Sequence, residues 1–272
     1  MKRILGLALP AVLLVGLAAA APVGANFGCF SHSATVPGAT ENDDTLYGTA
    51  GDDVIMGLGG NDTLYGNGGR DRICGGEGDD RIFGGPGGDL LDGEGGNDRV
   101  YGQGGGDGYV LGGDGNDVLS PGAGPFLYTG TVEGGAGRDR IVIDRESVNE
   151  VFGGTGRDTI DFRNAPVGIN VDLRYGQFLD GTLTGGIGYA VYEVEVVYGS
   201  EFADYLRGNA RPDRLYGFGG DDHLYGFPGD DLLFGGDGDD YLAGGADFDS
   251  LDGGGGWDAC WQWEGAGIDC EN

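Results

Sequence analysis

An aspartate recurs every nine residues along two stretches of this 272-residue chain. The first stretch is Asp44, Asp53, Asp62, Asp71, Asp80, Asp89, Asp98 and Asp107; the second is Asp204, Asp213, Asp222, Asp231, Asp240, Asp249 and Asp258. Carboxylates at a fixed interval, set among glycines that leave backbone carbonyls bare, offer oxygen ligands to a hard cation. Calcium takes about six to eight oxygens in tolerant geometry, so carbonyls from one turn and an aspartate from the next suit it. Magnesium demands a stricter octahedron and keeps its water. Zinc and copper favour His or Cys, and the only histidines are His32 and His223.

The elements that must position these carboxylates are legible in the same period. Two residues after each aspartate stands an apolar side chain: Leu46, Ile55, Leu64, Ile73, Ile82, Leu91, Val100 and Tyr109, then Leu206, Leu215, Leu224, Leu233, Leu242, Leu251 and Cys260. The unit reads G-G-x-G-x-D-x-(apolar)-x. In GLGGNDTLY, residues 57–65, glycines at the first, third and fourth places are expected to take positive φ and turn the chain. Thr63, Leu64 and Tyr65 then extend as a short strand with Leu64 inward. One unit is half a coil, and two units bring the chain back beneath itself. Coils then stack at about 4.8 Å as parallel sheets, an all-β solenoid.

The run of units at 39–110 continues one residue out of step through GGDGNDVLS at 112–120, which adds Asp117. We place a first calcium-binding block at 39–120, an irregular β segment at 121–198, a second block at 199–261 and a cap at 262–272. Within the interval, GGAGRDRIV (134–142) and GGTGRDTID (153–161) are isolated full units. VGINVDL and YAVYEVEVVY alternate like half-buried strands that join or widen the solenoid. Residues 26–38 form a lead-in segment. Residues 1–21 read as a secretory signal: Lys2 and Arg3, an apolar stretch from Ile4 to Ala20, and a small-residue cleavage site. The expected protein is therefore secreted, with no membrane span.

These features resemble the repeats-in-toxin family, also called haemolysin-type calcium-binding repeats. The resemblance implies a parallel β-roll, in two blocks joined by the irregular segment, whose turn aspartates bind calcium. Carried over residue by residue, the metal ligands are Asp53, Asp62, Asp71, Asp80, Asp89, Asp98, Asp107, Asp117, Asp213, Asp222, Asp231, Asp240, Asp249 and Asp258. Turns two units apart pair to give up to about eleven Ca2+ sites. Some units depart from the pattern. ATENDDTLY (39–47) lacks glycine, Phe202, Arg211 and Asp247 replace the fourth-place glycine, and Arg70 and Arg72 flank Asp71 as a partial substitute for an ion.

Sixty-four glycines would suit a disordered chain, but they are phased with the aspartates, and 39% of residues are apolar. The formal charge of -30 makes nucleic acid and anionic lipid poor partners. Four cysteines in an exported chain suggest disulfides, Cys260 with Cys270 across a short loop and Cys29 with Cys74 by elimination. No H-E-x-x-H, G-x-S-x-G or P-loop occurs, so no catalytic residue is assigned. The expected protein is a non-enzymatic calcium binder that folds on meeting extracellular calcium, with a structural or surface-interaction role. The alternative is a calcium-stabilised carbohydrate-active enzyme using Asp161 or Asp172. Ninth-place rings (Tyr47, Tyr65, Phe83, Tyr101, Tyr216, Tyr225, Phe234) are expected to stack as ladders, or to bind an extracellular glycan or cell-surface polymer. Trp257, Trp261 and Trp263 are expected to cap the last coil.

Overall fold

The computed structural model describes residues 33–122, 130–143, 150–174, 187–188, 190–262 and 268–270. The leader at 1–21, Cys29, His32 and Trp263 lie outside these residues. Three-residue segments such as TLY extend because their β-branched, leucine and aromatic side chains suit a pleated surface whose middle residue is buried. The strands pair in parallel, Leu46 beside Leu64 and Leu64 beside Ile82, in steps of two units. Alternate strands form one twelve-stranded sheet running from Thr45–Tyr47 to Ile268–Asp269 without a break. The remaining strands form the opposite face, which is split into a seven-stranded and a six-stranded sheet. The structure is an all-β parallel roll.

The core is one side chain wide. Eighth-place residues of the broad sheet (Leu64, Ile82, Val100) meet those of the split face (Ile55, Ile73, Leu91) in a single buried cluster. The same cluster continues through the interval as Val132, Ile141, Val151, Ile160, Val191 and Val197. Phe162 and Val171 add bulk there. The interval strands Ile169–Asp172, Ala190–Tyr192 and Val196–Tyr198 all join the roll. Ile169–Asp172 pairs forward with Tyr205–Arg207 and wedges an extra rung into the split face. The broad sheet meanwhile steps directly from Thr159–Asp161 to Val196–Tyr198.

Two expectations are corrected. Tyr109 points outward, and Val110 is buried in its stead, paired with Leu91. Gly108 is the inserted residue, its amide bonded to the Asp89 carbonyl. A tyrosine in so narrow a core would strand its hydroxyl, so the extra residue is absorbed before the strand begins. Positive φ falls at the second and fourth places of the unit, as in Leu58 (82°) and Gly60 (99°), not at the first or third. Asn67, Glu94, Gln103, Phe218 and Phe227 also hold the second place at positive φ.

Cys260 and Cys270 form the expected disulfide. Cys74 is also disulfide-bonded. Trp257 and Trp261 are 71% and 64% exposed and do not cover the last coil, because their places in the unit face solvent. The ninth-place rings of the broad sheet do stack. Tyr47–Tyr65, Tyr65–Phe83 and Phe83–Tyr101 have centroids 4.9, 5.0 and 5.2 Å apart. Tyr225 belongs to the other face, tilted against Tyr205 and Tyr241.

Candidate metal sites along the two turn ridges

The turns stack into two ridges, one leading into the broad sheet and one into the split face. On both, the sixth-place aspartate ties one coil to the previous one. Its Oδ1 accepts the amide of the equivalent aspartate: Asp53 N–H to Asp71 at 2.9 Å, Asp62 to Asp80 at 2.7 Å, Asp222 to Asp240 at 2.8 Å. Its Oδ2 is left over. In Asp62, Asp71, Asp80, Asp89, Asp98, Asp107, Asp117, Asp222, Asp231, Asp240, Asp249 and Asp258 this oxygen is buried without a hydrogen bond, and in Asp213 the orphan is Oδ1. A carboxylate oxygen withdrawn from water with no donor is costly, so it marks a place for a cation.

The first-place glycine defines that place. A Cβ on Gly57 would strike both Asp62 Oδ2 and the Gly75 carbonyl, and one on Gly217 would strike Asp222 Oδ2 and the Gly235 carbonyl. The same pair of oxygens faces Gly66, Gly75, Gly84, Gly93, Gly226 and Gly235. The glycine is thus required by space rather than by φ. It opens a cradle where a carboxylate oxygen and a carbonyl of the next coil converge. The donors are all oxygen, at least one of them anionic, which fits calcium and not a thiophilic metal.

The family model of the RTX calcium-binding nonapeptide repeat matches four times, at residues 39–73, 75–109, 198–233 and 234–266, together just over half of the chain. The chain belongs to the RTX nonapeptide-repeat family. Among curated proteins, none matches it.

The roll places further RTX-type cradles beyond these spans. Asp117, Asp139 and Asp158 continue the broad-sheet ridge through the interval. Asp98 N–H donates to Asp117 at 2.8 Å, Asp117 to Asp139 at 2.9 Å and Asp139 to Asp158 at 2.9 Å. Each has a buried orphan Oδ2, and their first-place glycines Gly112, Gly134 and Gly153 face the carbonyls of Gly134, Gly153 and Glu193. Asp139 and Asp158 were missing from the sequence-derived ligand set. The signal was present, because both occupy the sixth place of the isolated units at 134–142 and 153–161. Their separations of 22 and 19 residues from their neighbours hid them from a search by fixed period. Glu195 then takes the ladder role, its Oε2 accepting the Asp158 amide at 2.9 Å.

Not every run aspartate is alike. Asp53 Oδ2 accepts the Thr49 amide at 2.6 Å and its hydroxyl at 2.8 Å, while Oδ1 accepts the Thr35 hydroxyl at 2.8 Å. The Thr49 amide in particular holds the Asp53 carboxyl below its ordinary value. Thr40 and Ser200 serve Asp44 and Asp204 in the same way. Asp71 keeps its orphan oxygen, so neither Arg70 nor Arg72 replaces an ion there.

Without a cation, burial pushes several cradle carboxyls well above 3.8. Asp71 and Asp80 rise to about 6, Asp107 and Asp231 to about 7, Asp98 to about 8 and Asp222 to about 9. The amide bond from the previous coil opposes the rise, and neighbouring ridge carboxylates add to it.

Asp161 and Asp172 are not free acids. Arg163 and Arg140 bind Asp161, with Arg163 Nη2 at 2.7 Å, and Arg174 and Arg207 bind Asp172 at 2.6 and 3.3 Å. Burial works to raise Asp161, but the hydrogen bonds from Arg163 and Arg140 outweigh it and hold the carboxyl low. The arginines also stack on rings, Arg174 over Phe227 at 4.2 Å and Arg163 over Tyr198 at 4.9 Å. A carboxylate so engaged is a poor general acid or nucleophile, which removes support from the glycosidase alternative. Away from the ridges, Cys74, Asp92 and Glu94 converge within 4.8 Å, but Cys74 is in a disulfide and offers no thiolate.

Proposed function

We propose that this RTX protein is a secreted, non-enzymatic calcium binder whose roll forms as the ions bind, for a structural or surface-interaction role outside the cell. The observation that carries the reading is the row of buried, unpartnered aspartate oxygens, most of them opposite a carbonyl across a cradle that a single methyl group would fill. Bound calcium supplies the positive charge these oxygens lack. The carboxylates and turn carbonyls hold it, and the Oδ1–amide bonds keep each carboxylate aimed between coils. The leader-like residues 1–21 support export.

The magnitudes favour coupled folding. With site affinities near 10⁻⁴ M and calcium near 10⁻³ M, each site contributes about 1.4 kcal/mol. Eleven such sites sum to roughly 15 kcal/mol, comparable to the stability of a whole domain. Counting cradles with both an orphan oxygen and a facing carbonyl, Asp139 and Asp158 included, raises the expected stoichiometry to about thirteen. The test is isothermal calorimetry paired with circular dichroism on the chain lacking residues 1–21. Strand signal should appear together with calcium uptake. A chain that is folded in chelator and indifferent to calcium would refute the reading.

A further inference from the structure

The outer face of the broad sheet does not share the charge of the chain. Although the formal charge is -30, the outward places of the three-residue strand segments from Thr45 to Asp252 hold two acids, Asp161 and Asp252. Arg140 and Arg163 already bind Asp161, and Asp252 lies two rungs beyond Arg214. The same face carries Arg81, Arg99 and Arg214, all exposed, and none is in an ion pair among the described residues. On the adjoining ridge, Arg138 and Arg157 line an open depression of about 480 Å³ with Asn116 and Thr155. Random placement of so few cations on so acidic a chain would scatter them among carboxylates. Here they stand in a strip whose one unpaired carboxylate among these described strand segments, Asp252, sits near its far end.

The stacked rings of this face sharpen what it can bind. Tyr47, Tyr65, Phe83 and Tyr101 lie within 4 to 12° of parallel, so their flat faces are spent on one another. The two inner rings, Tyr65 and Phe83, cannot serve as platforms for the apolar face of a neutral sugar. What the four rings turn outward are edges and phenolic hydroxyls, in a row at the coil spacing of about 4.8 Å. Guanidinium groups and hydroxyls, repeated along a straight sheet, form a donor-rich track for an extended partner bearing acceptors and negative charge at intervals. Duplex nucleic acid fits less well. It carries a charge about every 1.7 Å and would press phosphates toward the acidic turns at Asp43, Asp79 and Asp230, which flank the strip.

We infer that the broad face docks an acidic polysaccharide, with Arg81, Arg99 and Arg214 contacting its carboxylates. The inference requires the calcium-loaded roll but not export, and a calcium-uptake control separates the two readings. The experiment is binding of the calcium-saturated chain to immobilised hyaluronate, with dextran and duplex DNA as comparison surfaces. Hyaluronate should be bound and released by salt, and dextran ignored. The triple variant Arg81→Ser, Arg99→Ser, Arg214→Ser should take up the same calcium with the same strand signal. It should bind hyaluronate about tenfold less tightly, as the loss of three exposed ion pairs implies. Absent binding, equal binding to dextran, tighter binding to DNA, or an unaffected triple variant that still loads calcium would each overturn the inference.

Discussion

A single carboxylate in this roll does two jobs with its two oxygens. Oδ1 fastens the neighbouring coil and Oδ2 waits for a cation, so the first-place glycine matters as much as the aspartate. Gly217→Ala puts a methyl group against Asp222 Oδ2 and the Gly235 carbonyl. Calorimetry should show one calcium fewer, and the melting curve in saturating calcium should reflect a loss of at least about 1.4 kcal/mol. Asp158→Asn should likewise remove one ion, whereas Asp53→Asn should leave the count unchanged, because Thr49 and Thr35 already satisfy that carboxylate. The protonation of these groups sets a pH dependence. Folding without calcium raises their pKa from 3.8 to between about 6 (Asp71) and about 9 (Asp222), so the folded form binds more protons than the unfolded one in that window. Stability of the ion-free chain is therefore greatest near pH 4 and falls as pH rises toward 9. Circular dichroism in chelator should show strand signal gained on acidification; a flat profile would contradict the burial of these carboxyls.

At the scale of the element, the interval adds arginine–carboxylate bridges to the calcium cradles of the broad-sheet ridge. Asp161 and Asp172 are each bridged by two guanidiniums, and Arg163 and Arg174 also stack on Tyr198 and Phe227 of following coils. Asp172→Asn would leave Arg174 and Arg207 facing each other without their shared anion. We expect a loss of about 2 kcal/mol, between the values for exposed and buried pairs. Denaturant unfolding in saturating calcium should show it, with calcium stoichiometry unchanged. The strand readings for VGINVDL and YAVYEVEVVY were available from alternation alone. That Ile169–Asp172 pairs forward past the strand Ala190–Tyr192 was not, because no local pattern records which of two later strands will lie alongside.

For the whole molecule, coils share ligands along a ridge and share one narrow core, so ions and strands should order together. Calcium titration followed by strand signal should be steep, and chelation should unfold the roll as a unit rather than strip it coil by coil. A shallow, non-cooperative titration would argue for independent sites. The continuous twelve-stranded sheet adds a further reason for cooperativity, since it carries hydrogen bonds through the interval from one set of family repeats to the other.

The sequence by itself determined the period, the inward apolar row, the parallel roll and the oxygen chemistry of its turns. Each follows from residues within one or two units, where spacing alone decides which side chains recur together. Tertiary structure decided the rest. It drew Asp139 and Asp158 into line with the regular repeats, set Asp53 apart by the hydroxyls that reach it, bound Asp161 and Asp172 to arginines, and set Arg81, Arg99 and Arg214 on one face. These outcomes join residues across irregular separations, up to the 37 between Asp158 and Glu195, and stacking coils settles such contacts by register rather than by spacing.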